Sequence, residues 1–460
     1  MRLSSIISLL ILLSLMCQSC GDPEGPDDPV IEPVIINAVI DPSVTYQEMI
    51  GFGGSLTWYA DRIITSPQKN QICQLLFEDL GTDIIRFKNN YYPNGYPAVK
   101  TTDVMENPSI KNLYTITSDL SAIARQYNPD IQFMVSSWTP PSALKSNDNL
   151  REGTLKKEEG AFMYEAFAEY WNDVLDHLPF QPDYISIQNE PGWVTPDWET
   201  CEWRPTETVD FPGFVNAFDA VWNKISTRAN PPKMLGPEAE NIGHSGKLGG
   251  NTFGLFSTPV KNKQHLAAYA YHTYNYSVST LIAQTKADLN MIRDSYGNKP
   301  CIMTEYSNFT WLNTAWFIIQ NLNEANASGY LYWLMAWSDT NSDSMIKLTS
   351  SGSYSLTPFY YVMKHFSREI DKGYVRINVL SPLIPMSAFI DPSGKKITVV
   401  AVNPTVEAAN YDLEVTGKSI KSIRAVQTDA VSNYRETAPV GADQYIILKP
   451  KSVTTVVLEI

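Results

Sequence analysis

Two glutamates stand at the ends of short apolar runs, where a carboxylate can do chemistry. Glu190 follows the run DYISIQN, and Glu305 closes the run KPCIMTE. Glycoside hydrolysis needs two facing carboxyl groups, one that protonates the leaving oxygen and one that attacks the anomeric carbon. A separation of about 5 to 5.5 Å gives retention of configuration, and roughly 6.5 to 9.5 Å gives inversion. The pair therefore indicates a glycosidase, whereas either glutamate alone could be a helix N-cap or a salt-bridge partner.

The chain around these glutamates alternates between two kinds of segment. From Gly51 to about Phe366, apolar runs such as TDIIRF and GYLYWLMAW alternate with amphipathic stretches such as EGAFMYEAFAEYWNDVLDHL. This pattern predicts an α/β fold, a (β/α)8 TIM barrel over residues 50–371, whose active site lies where the strands end. A doubly wound open sheet is the alternative.

The C-terminal part of the chain has a different sequence pattern. Beyond about Lys372, short alternating segments such as KKITVVAVNPT and SVTTVVLEI are separated by Gly, Pro and Asn. Such segments are typical of an antiparallel β-sandwich. The strand-like run from Val34 to Ile40 has no helix of its own. We therefore predict that residues 35–49 join residues 372–460 in one discontinuous β-sandwich side domain.

Composition limits the partners and cofactors. The 49 acidic and 35 basic residues give a net charge of -14, which repels phosphate backbones, so no nucleic acid is expected. The 11 Trp and 25 Tyr residues suit a carbohydrate cleft, so a polysaccharide or oligosaccharide is the expected partner. The protein is expected to be a monomer. The five histidines show no HExxH spacing, and the later cysteines show no CxxC spacing, so neither a metal nor a cofactor nor a disulfide framework is predicted.

The N-terminus has the layout of a secretory signal. Arg2 precedes an apolar run from Ile6 to Met16 that is too short to span a bilayer. The sequence LMCQSC ends at Cys20 and is followed by the acidic, Pro-rich stretch GDPEGPDDPVIEP. This resembles a bacterial lipoprotein signal over residues 1–19, with Cys20 lipidated and residues 20–34 as a tether. The enzyme would then be anchored to the cell envelope, at the outer membrane surface or the periplasmic face. An ordinary cleaved signal is the alternative.

Four short blocks carry a resemblance to a known enzyme family. They are GFGGSLT at Gly51–Thr57, SSWTPPSALK at Ser136–Lys145, SIQNEP at Ser186–Pro191 and TEYS at Thr304–Ser307. In this order they resemble glycoside hydrolase family 30, and HFSREIDKGYVRI is similar to the family's passage from barrel to sandwich. The resemblance implies a retaining hydrolase with a (β/α)8 barrel and an attached β-sandwich.

The resemblance also implies roles for individual residues. Glu190, after the fourth strand, matches the general acid/base, and Glu305, ending the seventh, matches the nucleophile. Asn189 matches the amide that binds the sugar 2-hydroxyl. Arg86, at the second strand tip, matches a basic residue that holds the nucleophile ionised, although it could instead pair with a structural carboxylate.

Other matched residues are aromatic or lie beside the nucleophile. His272 and Tyr274 match a pair on the sixth strand. Trp138 and Trp333 match platforms beneath the sugar, with a place in the barrel core as the alternative. Trp193 belongs with Trp198 and Trp203 to the loop after strand four, which lines a subsite or packs on itself as a lid.

The substrate is less well defined by the sequence than the reaction. SIQNEP and GYVRI most resemble the xylanase branch of the family, whose glucuronoxylan-specific members carry an Arg after the eighth strand. Here that loop has Asp339 and Asp343 and no basic residue before Lys347. We therefore predict an endo-β-1,4-xylanase that accepts undecorated or neutrally decorated chains. An endo-β-1,6-glucanase, a glucosylceramidase-like β-glucosidase and an inactive surface glycan-binding lipoprotein are the alternatives.

Overall fold

The computed structural model describes residues 34–91, 113–243, 248–341, 343–440 and 445–460. The predicted signal, Cys20 and the tether as far as residue 33 lie outside these ranges. Among the described helices, none has both the length and the apolar character needed to cross a membrane. Barrel and side sheet together form one compact unit over residues 35–460.

Within these ranges, eight parallel strands close into a barrel, which confirms the predicted (β/α)8 fold and excludes the open sheet. Each strand pairs with the next along the chain, and the eighth pairs with the first. We number them as barrel strands one to eight: Gly51–Leu56, Ile84–Lys88, Gln132–Ser136, Tyr184–Ser186, Lys233–Ala239, Leu266–His272, Cys301–Glu305 and Gly329–Tyr332.

Helices connect these strands on the outside of the barrel. In Tyr164–His177, for example, Phe167, Trp171 and Val174 recur at helical spacing and are buried, so one face packs on the barrel. In chain order the α-helices are Ala60–Thr65, Lys69–Gln74, Leu113–Tyr127, Tyr164–His177, Phe214–Ile225, Thr252–Val260, Lys286–Tyr296, Trp311–Glu324 and Pro358–Ser367. A π-helical segment occupies Leu75–Asp79, and 3-10 turns occupy Ser142–Leu144 and Ile282–Thr285.

Two small sheets decorate the loops at the barrel mouth. Lys157–Glu158 and Ala161–Phe162 form a hairpin after strand three. Ala336–Ser338, Ile346–Leu348 and Tyr354–Leu356 form a three-stranded sheet after strand eight. The second sheet therefore stands beside the end of strand eight, where it can shape the rim of the site.

The barrel interior is a packed layer on which the site rests. Ile84, Met134, Leu235 and Leu331 belong to one buried cluster with residues of the other inner strand positions. Because side chains alternate along a strand, the residues two positions further on face the same interior, one layer nearer the strand ends. On strand two that residue is Arg86.

The close packing of strand one against its neighbours explains two glycines of the motif GFGGSLT. A Cβ atom at Gly53 would lie 1.8 Å from the carbonyl oxygen of Ile84, and one at Gly54 would lie 2.7 Å from that of Tyr332. Strand one is therefore too close to both of its neighbours to carry side chains at these two positions.

The side domain is a single curled sheet. In the described residues it has the strand order Arg435–Thr437, Ser422–Thr428, Ser452–Glu459, Lys396–Asn403, Met386–Ile390, Val375–Leu380, Ile35–Glu48, Ala409–Val415 and Ile446–Leu448. All pairs are antiparallel except that Ile35–Glu48 runs parallel to Ala409–Val415. Its core joins Ala38, Leu413 and Leu458 from distant strands, so the sheet wraps around its own apolar centre.

Candidate active site

The two glutamates predicted for catalysis lie side by side at the C-terminal face of the barrel. One carboxylate oxygen of Glu190, one of Glu305 and one ring nitrogen of His272 lie within 4.8 Å of one another. Both carboxyl groups are almost completely buried. One oxygen from each carboxylate within 4.8 Å of the other is compatible with the separation of about 5 to 5.5 Å between the carboxyl groups of retaining glycosidases.

Register shifts between barrel strands orient the side chains of Glu305 and Glu238. Between strands six and seven, Tyr271 pairs with Met303 and His272 pairs with Glu305, so strand seven has one extra residue at this point. Between strands five and six, Pro237 pairs with Ala270 and Ala239 pairs with Tyr271, so Glu238 is an extra residue in strand five. Such bulges re-aim side chains next to active sites.

The backbone is strained at two of these acids. Glu190 and Glu238 have φ values of 47° and 57°, in the left-handed region that non-glycine residues rarely adopt. The N–H of Glu190 donates to the carbonyl oxygen of Glu238 at 2.9 Å. Strained non-glycine residues cluster at functional sites, where the surrounding structure holds them in place.

Arg86 connects the acids through its three nitrogens. Nε donates to Glu238 at 2.7 Å, Nη1 donates to Glu305 at 2.8 Å, and Nη2 donates to the amide oxygen of Asn189 at 2.6 Å. The guanidinium carbon also lies 4.7 Å from the ring centroid of Trp138, within cation–π distance. Arg86 therefore holds the predicted nucleophile and also pairs with a structural carboxylate, so both sequence interpretations apply.

Both oxygens of Glu305 are held. Oε2 accepts from Arg86, and Oε1 accepts from the hydroxyl of Tyr274 at 2.9 Å. His272 lies on the other side, with Nδ1 2.9 Å from Glu190 Oε1 and Nε2 3.9 Å from Glu305 Oε2. The predicted sixth-strand pair therefore contacts the two predicted catalytic residues, one each.

Burial and charge act in opposite directions on these groups. Burial raises the pKa of Glu305, and the charges of His272 and Arg86 oppose that rise. Burial would also raise the pKa of Glu238, but Arg86 and His272 bring it down to about 2. Burial would lower the pKa of His272, but Glu305, Glu190 and Glu238 raise it to about 9. These three acids therefore favour the imidazolium form of His272.

The same cluster bears on metal binding. Glu190, His272 and Glu305 are close enough to offer three ligand atoms to one ion. However, Arg86 already places one cation among the carboxylates, and the imidazolium form of His272 that these acids favour has no lone pair to give a metal.

A tryptophan-lined cavity opens over Glu305, whereas Glu190 is not among its lining residues. Its volume is about 550 Å³, in the range of small-molecule sites. The predicted residues Trp138, Trp193, Tyr274, Glu305 and Trp333 line it. The other lining residues are Trp58, Trp198, Glu240, Asn241, Asn275 and Trp337.

The three tryptophans of the loop after strand four lie in two different environments. Trp193 and Trp198 line the cavity. Trp203 is fully buried in the core instead, and its indole N–H donates to Gln188 at 3.1 Å. The ring of Trp58 packs edge-on against Trp138 and Trp333, so the platform residues are themselves fixed by an aromatic neighbour.

Comparison with known proteins supports the same class of enzyme. No family model matches the chain. Glucuronoxylanase XynC of Bacillus subtilis is 22% identical over 70% of this chain and 73% of its own, and the Endo-1,6-beta-D-glucanase of Neurospora crassa is 22% identical over 73% and 72%. The glycoside hydrolase family 30 subfamily 8 xylanase Xyn30A of Clostridium acetobutylicum matches 92% of this chain and 100% of its own, with 20% identity and a TM-score of 0.69.

The chain has the fold of glycoside hydrolase family 30. These relatives confirm the predicted enzyme class, a glycoside hydrolase. Their names differ in the glycan that each cleaves, so likeness alone does not decide the substrate of this family 30 fold.

Glu238 and Glu240 are absent from the site residues that the sequence predicts. Both lie in KMLGPEAE, at the end of strand five, where Glu238 binds Arg86 and Glu240 lines the cavity. Their signal was the one that identified Glu190 and Glu305, an acid at the C-terminal end of a strand-like run. Trp58 and Trp337 carry no comparable local signal, because a lone tryptophan is more often core.

Proposed function

We propose that this chain is a retaining endo-β-1,4-xylanase that works through Glu190 and Glu305. The observation that carries the proposal is the close approach of these two carboxylates at a tryptophan-lined cavity, of which Glu305 forms part of the wall. A sugar stacked in that cavity would place its glycosidic bond between an acid and a nucleophile.

In the first step, Glu305 attacks the anomeric carbon while the bond to the leaving oxygen breaks. Glu190 gives its proton to that oxygen, and a covalent glycosyl ester on Glu305 results. Arg86 and Tyr274 fix the two oxygens of Glu305 and favour its ionised form.

In the second step, Glu190 takes a proton from water, and the water oxygen attacks the anomeric carbon. The ester bond to Glu305 breaks, and the sugar leaves with its original configuration. The amide oxygen of Asn189 accepts from Arg86, so the amide nitrogen is the group that can donate to the sugar 2-hydroxyl.

The substrate proposal rests on charge. The loop after strand eight offers Asp339 and Asp343 but no basic residue before Lys347, so it lacks a partner for a glucuronate. We therefore expect cleavage of undecorated or neutrally decorated xylan. The relative from Neurospora crassa, equally similar in sequence, makes β-1,6-glucan the second candidate.

A product profile tests this proposal. The purified protein is incubated separately with glucuronoxylan, arabinoxylan and β-1,6-glucan, and the released oligosaccharides are identified by mass. Xylo-oligosaccharides from both xylans would support the proposal. Release from β-1,6-glucan alone would refute xylan as the substrate, and strict dependence on glucuronate would refute the charge argument.

Loss of the nucleophile separates an enzyme from a glycan-binding protein. Glu305→Ala should lower the rate of hydrolysis by several orders of magnitude while glycan binding persists. An unchanged, very low rate in both proteins, together with binding, would support the binding alternative instead.

We also propose that Cys20 is lipidated, that the protein is held at the cell envelope and that it acts as a monomer. The support for the anchor is the signal-like sequence before Cys20 and the acidic tether after it. Metabolic labelling with an alkyne fatty acid should mark the wild-type chain and not Cys20→Ala. Equal labelling of both would contradict lipidation at this residue.

A further inference from the structure

Glu240 is a buried acid of the cavity wall that the proposed mechanism does not use. It is 3% exposed and lines the cavity directly after strand five. Its Oε1 accepts from the hydroxyl of Thr252 at 2.7 Å and from the amide of Asn241 at 3.3 Å. Its Oε2 has no hydrogen-bond partner among the described residues. Thr252 and Asn241 thus fix the carboxyl group through Oε1, and Oε2 is left buried and unsatisfied in a residue of the cavity wall.

The barrel order places Glu240 on a definite side of the glycosidic bond. Strands four and seven, which carry Glu190 and Glu305 at their ends, divide the mouth into two halves. Strands eight, one, two and three lie in one half, where Trp333 and Trp138 flank Arg86. Strands five and six lie in the other half, with Glu240.

The two halves suit the two sides of the cleaved bond. Arg86 holds Asn189, the residue proposed for the 2-hydroxyl, so the tryptophan half accepts the sugar that is attacked. The other half, beside the acid Glu190, then receives the leaving sugar. A buried carboxyl oxygen without a partner is unfavourable, and a sugar hydroxyl would satisfy it.

We propose that Glu240 is a specificity residue for the leaving group, which binds one hydroxyl of a neutral sugar through Oε2 and disfavours an acidic sugar there. The proposal rests on the proposed glycosidase function and deepens it. Burial, reinforced by the charge of Glu190 and opposed by Thr252, raises the pKa of Glu240 to about 7. Either protonation state can bond a hydroxyl, whereas the ionised state repels a uronate.

Two substrates with the same attacked sugars but different leaving groups test the proposal. Xylotetraose releases a sugar, and 4-nitrophenyl β-xylobioside releases a phenol. In Glu240→Leu, the lost hydrogen bond should lower kcat/KM for xylotetraose by about 10- to 100-fold, and by at least about tenfold more than for the aryl glycoside. Equal losses on both substrates, or no loss on either, would overturn the proposal.

Charge is tested separately with Glu240→Gln. This variant should raise the rate on a xylotetraose carrying glucuronate on its leaving half, relative to unbranched xylotetraose, by about tenfold, because the like-charge repulsion is gone. An unchanged ratio would overturn the part of the proposal that concerns acidic sugars. Glu165→Gln, an exposed acid on the helix Tyr164–His177, is the matched control and should leave the ratio as in the wild type.

Two further controls keep the outcomes distinct. If Glu240→Leu does not fold, as judged by circular dichroism, Thr252→Val removes the shorter of the two hydrogen bonds to Oε1 and should show a smaller loss in the same direction. If the wild type cleaves gentiotetraose and not xylotetraose, the xylan proposal fails, and the same comparison is made with gentiotetraose and 4-nitrophenyl β-gentiobioside. If the wild type cleaves neither tetrasaccharide, the proposed function and the proposed role of Glu240 are both refuted.

Discussion

Replacement of Arg86 by lysine removes the geometry of the guanidinium but keeps its charge. Arg86 is fully buried, and its three nitrogens donate to Glu238, Glu305 and Asn189. Lysine offers a single nitrogen at the end of a flexible chain and cannot reach three acceptors that surround a planar fork. At least two charge-assisted hydrogen bonds are therefore lost.

The magnitude follows from the number of bonds. Each hydrogen bond to a charged group contributes about 1.5 to 3 kcal/mol, so two lost bonds cost roughly 3 to 6 kcal/mol. Removing one partner of a buried ion pair costs about 3 to 5 kcal/mol, and we take this as the upper bound for a lysine that keeps the charge but loses the geometry. We expect Arg86→Lys to lower the free energy of unfolding by about 3 to 5 kcal/mol and kcat/KM by about 10²- to 10⁴-fold.

The pH profile gives a sharper readout than activity alone. The charge of Arg86 opposes the rise in the pKa of Glu305 that burial causes. With a less closely bound cation, this pKa rises further. Because the nucleophile acts in its ionised form, the acid limb of kcat/KM should move to higher pH in the variant.

Urea unfolding and the pH dependence of kcat/KM are measured on both proteins. Arg228→Lys is the control, because Arg228 forms a 2.8 Å ion pair with Asp176 on the outside of the barrel, where such pairs contribute about 0 to 1 kcal/mol. An Arg86→Lys protein with kcat/KM within about threefold of the wild type and an unmoved acid limb would refute the role given to Arg86.

Three further predictions concern other parts of the molecule. Glu190→Ala should slow xylan cleavage far more than cleavage of 2,4-dinitrophenyl xylobioside, which needs no acid; equal losses in steady-state assays would contradict its role. Trp138→Ala should lower kcat/KM about tenfold or more through lost stacking and cation–π contact with Arg86, measured on xylotetraose; a change below twofold would contradict the platform. His365, bonded to Thr428 and Thr455, has a pKa lowered by burial from 6.5 to about 3, so its contribution to stability is present above pH 6.5 and is lost as the pH falls toward 3. His365→Gln should therefore show a shallower fall in the free energy of unfolding over that window in urea titrations, and an unchanged slope would contradict the shift.

The barrel and the centre of the site could be predicted because both follow from local pattern. An apolar run that ends in a polar residue marks a strand tip, and a parallel barrel brings all such tips to one face. That rule is enough to bring Glu190 and Glu305 together. Arg86 and His272 were implied by the resemblance to glycoside hydrolase family 30, and the structure places all four in one cluster.

What the sequence did not predict depends on long-range pairing. Glu238 reaches Arg86 because strand five carries one extra residue against strand six, a bulge that is set by tertiary pairing. Trp193 and Trp203 stand in the same loop, but only tertiary packing places Trp193 at the cavity and Trp203 in the core. The parallel pairing of Ile35–Glu48 with Ala409–Val415 likewise has no local signal.

Trapping of the covalent intermediate tests the central proposal most directly. The protein is incubated with 2,4-dinitrophenyl 2-deoxy-2-fluoro-β-xylobioside, digested, and mapped by tandem mass spectrometry. The two-carboxylate mechanism predicts a single labelled peptide with the sugar esterified to Glu305, and no label in Glu305→Gln. A label on Glu238 or Glu240, or an α-configured first product by NMR from a β-linked substrate, would contradict it.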